Sequence, residues 1–480
     1  MATNSGRKWS ALALIVTAQF MVILDVAIVN VALPSIKNDL DFSQSSLQWV
    51  VSAYAIFFGG ALLLGGRLAD LLGRRRLFVG GLLLFAASSL LCGIAWSESS
   101  LIGFRALQGL GGALLAPAAL SLLMTTFAEG RERNLALGIY GAASGSGAAA
   151  GVLLGGVLTS YLSWSWIFFV NVPVGAAAAL VAPMLLAESR ADLGHRHFDL
   201  RGAATATSGL MLLVYALTRA TNDGWDAPAT IGLLVGAVAL LALFVAVEAR
   251  SAWPLLPLRL FRSRTLAAAN VSMAIVGGVA FSEFFLLSLY LQQVLGYSPM
   301  ESGVAFVGFA GTVVVVSNVA QAVVGRLGVR PTLVTGFLIS ALSVGLLTRL
   351  PVDGHYFWDL FPAFVLGGAG MALSFIPVTI GGLTGVDRAD AGVASGLINT
   401  SRQIGGAIGI AAATAIAAAA TGHSAGVPAL DHGYRVALIV LTGLLLAGAV
   451  IAAAFLRPAP APATAEAVEL PEPAELEQAA

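Results

Sequence analysis

Apolar residues in this chain gather into long, nearly unbroken runs, with polar residues confined to short clusters between them. The runs lie at 11–32, 47–65, 77–96, 101–127, 135–161, 166–187 and 203–218. A second group follows at 229–247, 266–291, 302–324, 332–349, 357–383, 394–420 and 435–456. A helix rising 1.5 Å per residue needs about 20 apolar residues to cross a bilayer core. The pattern therefore predicts about fourteen transmembrane helices and an all-α polytopic membrane protein. The first run is too long for a signal-peptide core and lacks a small-residue cleavage site, so it is expected to stay as a membrane helix.

Composition agrees. Of 480 residues, 58% are hydrophobic and only 10% are charged, against roughly 25% charged in soluble domains. Lipid must solvate most of the outer face. The formal net charge is zero, so no global field points to nucleic acid. The single cysteine, Cys92, excludes an intramolecular disulfide framework. The five histidines lie in loops without metal-ligand spacing. "GSGAAAG" (Gly145–Gly151) is one residue off a dinucleotide fingerprint and follows no strand, and no Walker sequence occurs. Neither a metal nor a cofactor is expected. A membrane-embedded enzyme would need polar residues clustered at the bilayer interface, and none are found.

Lysine and arginine set the expected orientation. With the N-terminus inside, nineteen of them fall in inner segments and four (Lys37, Arg219, Arg349 and Arg435) in outer ones. This asymmetry places both termini in the cytoplasm of a cell (inner or plasma) membrane protein. The eight tryptophans, Trp9, Trp49, Trp96, Trp164, Trp166, Trp225, Trp253 and Trp358, lie near run ends, as an interfacial belt would.

Charge is densest in "GGRLADLLGRRRLF" (Gly65–Phe78), the loop between the second and third runs. Its Gly66-Arg67-Leu68 is echoed at Gly325-Arg326-Leu327, an offset of 259 residues. The same offset carries Asp25, inside the first run, to within one residue of Glu283, inside the ninth. The chain therefore reads as a six-helix bundle over 1–190, two inserted helices over 191–258, and a second six-helix bundle over 259–457. A Pro/Ala/Glu-rich tail over 458–480 is expected to be disordered and cytoplasmic. Parallel repeats of this kind place a substrate site between the two halves.

Ionisable residues inside hydrocarbon are costly and normally face a cavity or a partner. Asp25 either takes up and releases protons, attracting a cationic substrate in competition, or ties its helix to a neighbour. Arg105 enters the fourth run at a depth that can approach Asp25, or snorkels to the headgroups. Glu283 is a second proton or cation site, or a residue of the outer interface. Arg402, with Asn399 and Gln403, lines the cavity or faces the cytoplasm, and Asn30 is a further cavity candidate. Asn270, Gln292 and Gln293 carry weaker signals.

Four stretches carry a resemblance: "LDVAIVNVALPSI" (Leu24–Ile36), "GRLADLLGRRRLF", "RALQGLGGALLAPA" (Arg105–Ala118) and "SGLINTSRQIGGAIGIA" (Ser395–Ala411). In this order they resemble the major facilitator superfamily, and in particular its fourteen-helix drug:proton antiporter branch. The resemblance implies proton-coupled efflux of amphipathic or cationic small molecules by alternating access, with Arg105 in proton coupling. A proton-linked importer or uniporter on the same fold is the alternative. It also implies that the loop motif, through Gly66, Asp70, Gly73 and Arg74, latches the inner ends of the two halves. Asp70 and Arg74 stand i, i+4 and can pair if the segment is helical. In the fifth run, "GAAAGVLLGG" keeps Gly147, Gly151, Gly155 and Gly156 of the branch's antiporter motif but has Val152 in place of its proline. Likewise Ser165 stands where the branch often has arginine. The glycines remain fit for close helix packing, and the protein is expected to act as a monomer in the bilayer. Asp70→Asn should lower transport while leaving membrane insertion intact; normal transport in vesicles would leave the motif a topology signal only.

Overall fold

The computed structural model describes residues 2–43, 46–127, 131–189, 199–251, 254, 259, 263–352, 354–383, 391–422 and 426–456. Among these the regular structure is helical, without a strand. The helices are α1 (Ala2–Asp39), α2 (Trp49–Leu72), α3 (Arg74–Gly93), α4 (Glu98–Thr126), α5 (Arg131–Tyr161), α6 (Trp166–Phe169), α7 (Asn171–Leu185) and α8 (Leu200–Asp223). They continue as α9 (Pro228–Arg250), α10 (Arg264–Gln293), α11 (Pro299–Ala305), α12 (Val307–Leu327), α13 (Val329–Leu347), α14 (Phe361–Leu383), α15 (Ala391–Thr421) and α16 (Val427–Phe455). Each of the fourteen predicted runs coincides with a helix, two of them broken, between α6 and α7 and between α11 and α12. A helix satisfies its own backbone, which is why a chain solvated by lipid takes this form. The tail over 458–480 lies outside the described residues.

Helix α1 packs on α5 and on α7, and α2, α3 and α4 pack together, with α3 against α7. In the second half α10 lies between α15, α14 and α16, and α13 packs on α14 and α16. Contacts of α2 with α15, α5 with α11 and α12, and α1 with α10 join the two groups. Helix α8 bridges α2 and α15, and α9 packs on α8. Only 11% of the apolar window of α9 is buried, so this helix presents most of its surface to lipid.

Lipid gives little hydrophobic drive between helices, so close backbone approach has to hold them. Gly147, Gly151 and Gly155, at i, i+4 and i+8, supply it between α5 and α1. A Cβ at these positions would stand 3.0, 2.7 and 2.8 Å from the carbonyl oxygens of Phe20, Leu24 and Ile28. Gly156 turns to the other half, where a Cβ would meet the Pro299 carbonyl at 2.9 Å. Helix α5 runs unbroken through Val152, consistent with the missing proline.

One end of the molecule carries the α2–α3 turn and the start of α1; at the other, far end the two halves are stitched together. The Ser288 hydroxyl donates to the Asn30 carbonyl, and Gln292 Nε2 to the Val31 carbonyl at 2.9 Å. The Met300 amide donates to Ser160 Oγ at 3.0 Å. Asn30 thus belongs to this closure.

Two expectations need correction. Trp49 and Trp164 are buried, and Trp164 donates its ring N–H to Asp39 at 2.7 Å, so neither joins the exposed belt of Trp9, Trp96, Trp166, Trp225 and Trp358. The helix-glycine-helix turns that recur in the two halves pivot on Gly73 (φ 111°) and Gly328 (φ 85°), 255 residues apart. The sequence echo at 259 residues therefore overshoots the structural repeat by about one helical turn.

The glycine seam carries a stability consequence. Gly151→Ala should lower the thermal stability of the detergent-solubilised protein by about 1–3 kcal/mol, because a methyl group must push α1 away. Gly103→Ala, where a Cβ meets nothing within 4 Å, should leave it unchanged.

Candidate functional site

Helix α1 carries Asp25 into the middle of the first half, where it is fully buried at 0% exposure. Helix α4 brings Arg105 to it, itself 1% exposed, with Arg105 Nη1 donating to Asp25 Oδ2 at 2.7 Å. The same Nη1 donates to Gln108 Oε1 at 2.6 Å, and Nε donates to the Val50 carbonyl of α2 at 2.8 Å. The guanidinium lies 4.4 Å from the Tyr54 ring centroid and 5.6 Å from that of Phe168, a favourable placement for a desolvated cation.

The other carboxylate oxygen is held from two further helices. Asp25 Oδ1 accepts from Gln108 Nε2 and from Asn171 Nδ2 of α7, both at 2.8 Å. Both amides also donate to Ser89 Oγ of α3 at 3.1 Å, and Ser89 donates to the Phe168 carbonyl at 2.9 Å. Asp25 is thus neutralised by one cation and oriented by two amides, which makes burial of the charge tolerable. In this conformation no surface of Asp25 remains for a substrate cation, so the picture of direct competition at Asp25 does not describe it. Arg105 does not snorkel.

Gln108, Asn171, Ser89 and Tyr54 were not anticipated from the sequence. Gln108 stands three residues from Arg105, on the same helix face. Asn171 is a polar residue set in "IFFVNVPVG". Either position was a readable signal.

The remaining predicted residues scatter. Glu283 is buried on α10, and its Oε1 finds no hydrogen-bond partner among the described residues. Arg402 donates through Nε and Nη2 to Asn399 Oδ1 at 3.3 and 3.0 Å. Gln403 is buried at the seam of α2 and α15, where a Cβ on Gly59 would stand 2.8 Å from its own Cβ. Asn270 accepts from Ser401 Oγ at 2.9 Å, and Gln293 from Tyr434 Oη at 3.0 Å.

At the α2–α3 turn the expected i, i+4 relation of Asp70 and Arg74 within one helix does not arise. Gly73, in the left-handed region, ends α2 before Arg74 opens α3. The side chain of Asp70 lies outside the described residues. Among the described side chains, a carboxylate that holds this turn is Glu188, just beyond α7. Its Oε1 accepts the Arg75 amide at 3.1 Å, and its Oε2 lies 3.7 Å from both Arg75 Nε and Arg76 Nε. An acid at a helix N-terminus is favourably placed against the backbone dipole. Gly66 is not tightly packed, for a Cβ there would meet Pro117 at 3.7 Å; Gly65 is the glycine pressed against α4, at the Ala113 carbonyl.

A family profile described as Major Facilitator Superfamily matches residues 15–410. The chain belongs to the Major Facilitator Superfamily. Among members of that superfamily, it is 40% identical over 458 residues to a puromycin resistance protein of Streptomyces alboniger, covering 93% of this chain and 91% of the relative. It is 40% identical over 455 residues to a cephamycin export protein of Amycolatopsis lactamdurans, covering 92% and 93%. A tetracenomycin C resistance and export protein of Streptomyces glaucescens is 36% identical over 407 residues, covering 85% and 75%. The solved structure of a peptide transporter in complex with sulfate superposes with a TM-score of 0.68 at 17% identity, over 92% of this chain and 93% of that one. That likeness shows the superfamily fold.

The ion pair can be weighed by unfolding measurements. Arg105→Gln should cost about 3–5 kcal/mol, because it leaves a charged carboxylate buried. Adding Asp25→Asn should recover part of that loss in a double-mutant cycle. Strictly additive losses would mean that the two side chains do not depend on each other.

Proposed function

We propose that this protein exports amphipathic small molecules in exchange for protons, by alternating access between its two halves. The carrying observation is the buried Asp25–Arg105 pair, set on the same helix that closes the far end. Relatives whose names record antibiotic resistance and export support the direction of transport. The reading takes the protein as a monomeric carrier in the cell membrane, with a small-molecule substrate and protons as its partners and no enzymatic step.

The physics of coupling follows from α1. Ionised Asp25 draws Arg105 and the amides of Gln108 and Asn171 around it. Protonation removes its charge, and a pair of this kind loses roughly 4 kcal/mol of attraction at an effective dielectric near 20. Five and six residues further along α1, the carbonyls of Asn30 and Val31 dock on α10, about 8 Å away along the axis. A proton at Asp25 loosens α1 within its own half and so alters how its outer end sits against the other. With the termini cytoplasmic, as the nineteen-to-four asymmetry of basic residues supports, the stitched end is the outer one. The α2–α3 turn, held by Glu188, then lies on the inner side, where Asp70 and its neighbours act as the gate. Glu283 serves as a second protonatable group. The glycine face of α5 lets α1 move against a smooth surface.

A proton-linked importer or uniporter on the same fold is favoured by one feature, the unbroken α5 at Val152. Proteoliposomes loaded with a pH-sensitive dye separate the readings. Wild type should move protons inward as it exports drug, and Asp25→Asn should abolish that proton movement while still binding drug. Unchanged coupled efflux in the variant removes Asp25 from the role, and uptake of drug along with protons establishes the importer.

A further inference from the structure

We infer that Arg402 is an anchor for an anionic group on the substrate, so that the transported compounds include amphipathic carboxylates. The transport step rests on the export reading above; the binding does not.

Arg402 lies about 16 Å along α15 from its start, on the helix that packs against both α10 and α2. Its backbone carbonyl abuts Gly277 of α10, which fixes its level near the middle of both helices. A charge at such a depth is costly and calls for a counter-charge. Arg105 has one; Arg402 has no carboxylate within 4.0 Å among the described residues, Glu283 included. Its acceptor is the neutral amide oxygen of Asn399, which occupies the Nε–Nη2 edge. The end-on edge, Nη1 with the second proton of Nη2, has no acceptor among the described residues.

Three further features suit this edge to a ligand. Arg402, Asn399 and Phe375 each retain some accessible surface at this depth. The Phe375 ring of α14 stands 5.9 Å from the guanidinium carbon. An aromatic ring and one neutral amide therefore flank one fixed cation. A guanidinium stays charged at any working pH and pairs with a carboxylate through two parallel hydrogen bonds. Asp25, already saturated, cannot offer a cation the matching service. The site thus selects an apolar body bearing an anion.

A dansylated amino acid and its methyl ester, which differ in one charge, test this by fluorescence titration of the purified full-length protein. Wild type should bind the carboxylate about 10- to 100-fold more tightly than the ester, the range of one charge-assisted hydrogen-bonded contact. Arg402→Gln should bring the two affinities together, and Arg402→Lys should keep part of the preference. Asn399→Asp leaves the arginine in place, supplies it with an internal counter-ion, and should also abolish the preference; it decides the matter if Arg402→Gln does not fold. Equal binding of the pair by wild type, binding of neither, or a preference surviving in Asn399→Asp overturns the anchor. Proteoliposome flux with the same probes keeps the two readings apart. Discrimination without proton-coupled movement of either probe upholds the anchor and defeats export. Coupled export of the ester with equal binding of the pair does the reverse.

Discussion

The contact between Asp25 and Arg105 is the interaction on which the first half of the molecule is organised. Five helices converge on it: α1 supplies the acid, α4 the base and Gln108, α7 an amide, α3 a hydroxyl, and α2 a carbonyl and an aromatic face. In lipid, apolar surface has little preference for protein over hydrocarbon, so a buried charge that must be satisfied sets helix positions more strictly than packing alone. Both oxygens of Asp25 are bonded to other helices, and moving one helix disturbs the rest. That is the property a proton switch needs.

Helix α1 joins this cluster to the contact between halves. One face lies in the glycine seam of α5, and its outer part docks on α10. The seam is a close backbone contact, whereas the docking is made of discrete hydrogen bonds. On the proposed reading, a change of charge at Asp25 would bias the docking without touching it. The second half holds its own ionisable residues differently. Glu283 and Arg402 lack a charge partner among the described residues.

The α2–α3 turn shows how local chemistry was redistributed by the fold. Spacing alone put Asp70 and Arg74 on one helical face. Gly73 breaks the helix between them, and Glu188, more than a hundred residues away in sequence, meets Arg75 and Arg76 at the start of α3. The stretch around 188 is short, polar and unremarkable, and only the return of α7 to the same end of the molecule brings it there.

By itself, the sequence determined that the chain crosses as helices and in what order, because a crossing needs about 20 apolar residues and a helix satisfies its own backbone. It also marked Asp25 and Arg105, since a charge inside such a run is rare enough to be read singly, and the glycines at Gly147, Gly151 and Gly155, whose spacing matches a helix face. Tertiary structure alone decided which partners those charges met. Gln108, Asn171 and Ser89 are ordinary polar residues until three helices bring them within 3.1 Å of one another or of Asp25. It likewise sent Trp49, Trp164 and Gln403 into the interior and left Arg402 with an open edge. Helix formation depends on the residues within one run; side-chain pairing depends on how separate runs are rotated against each other, and no single run carries that information.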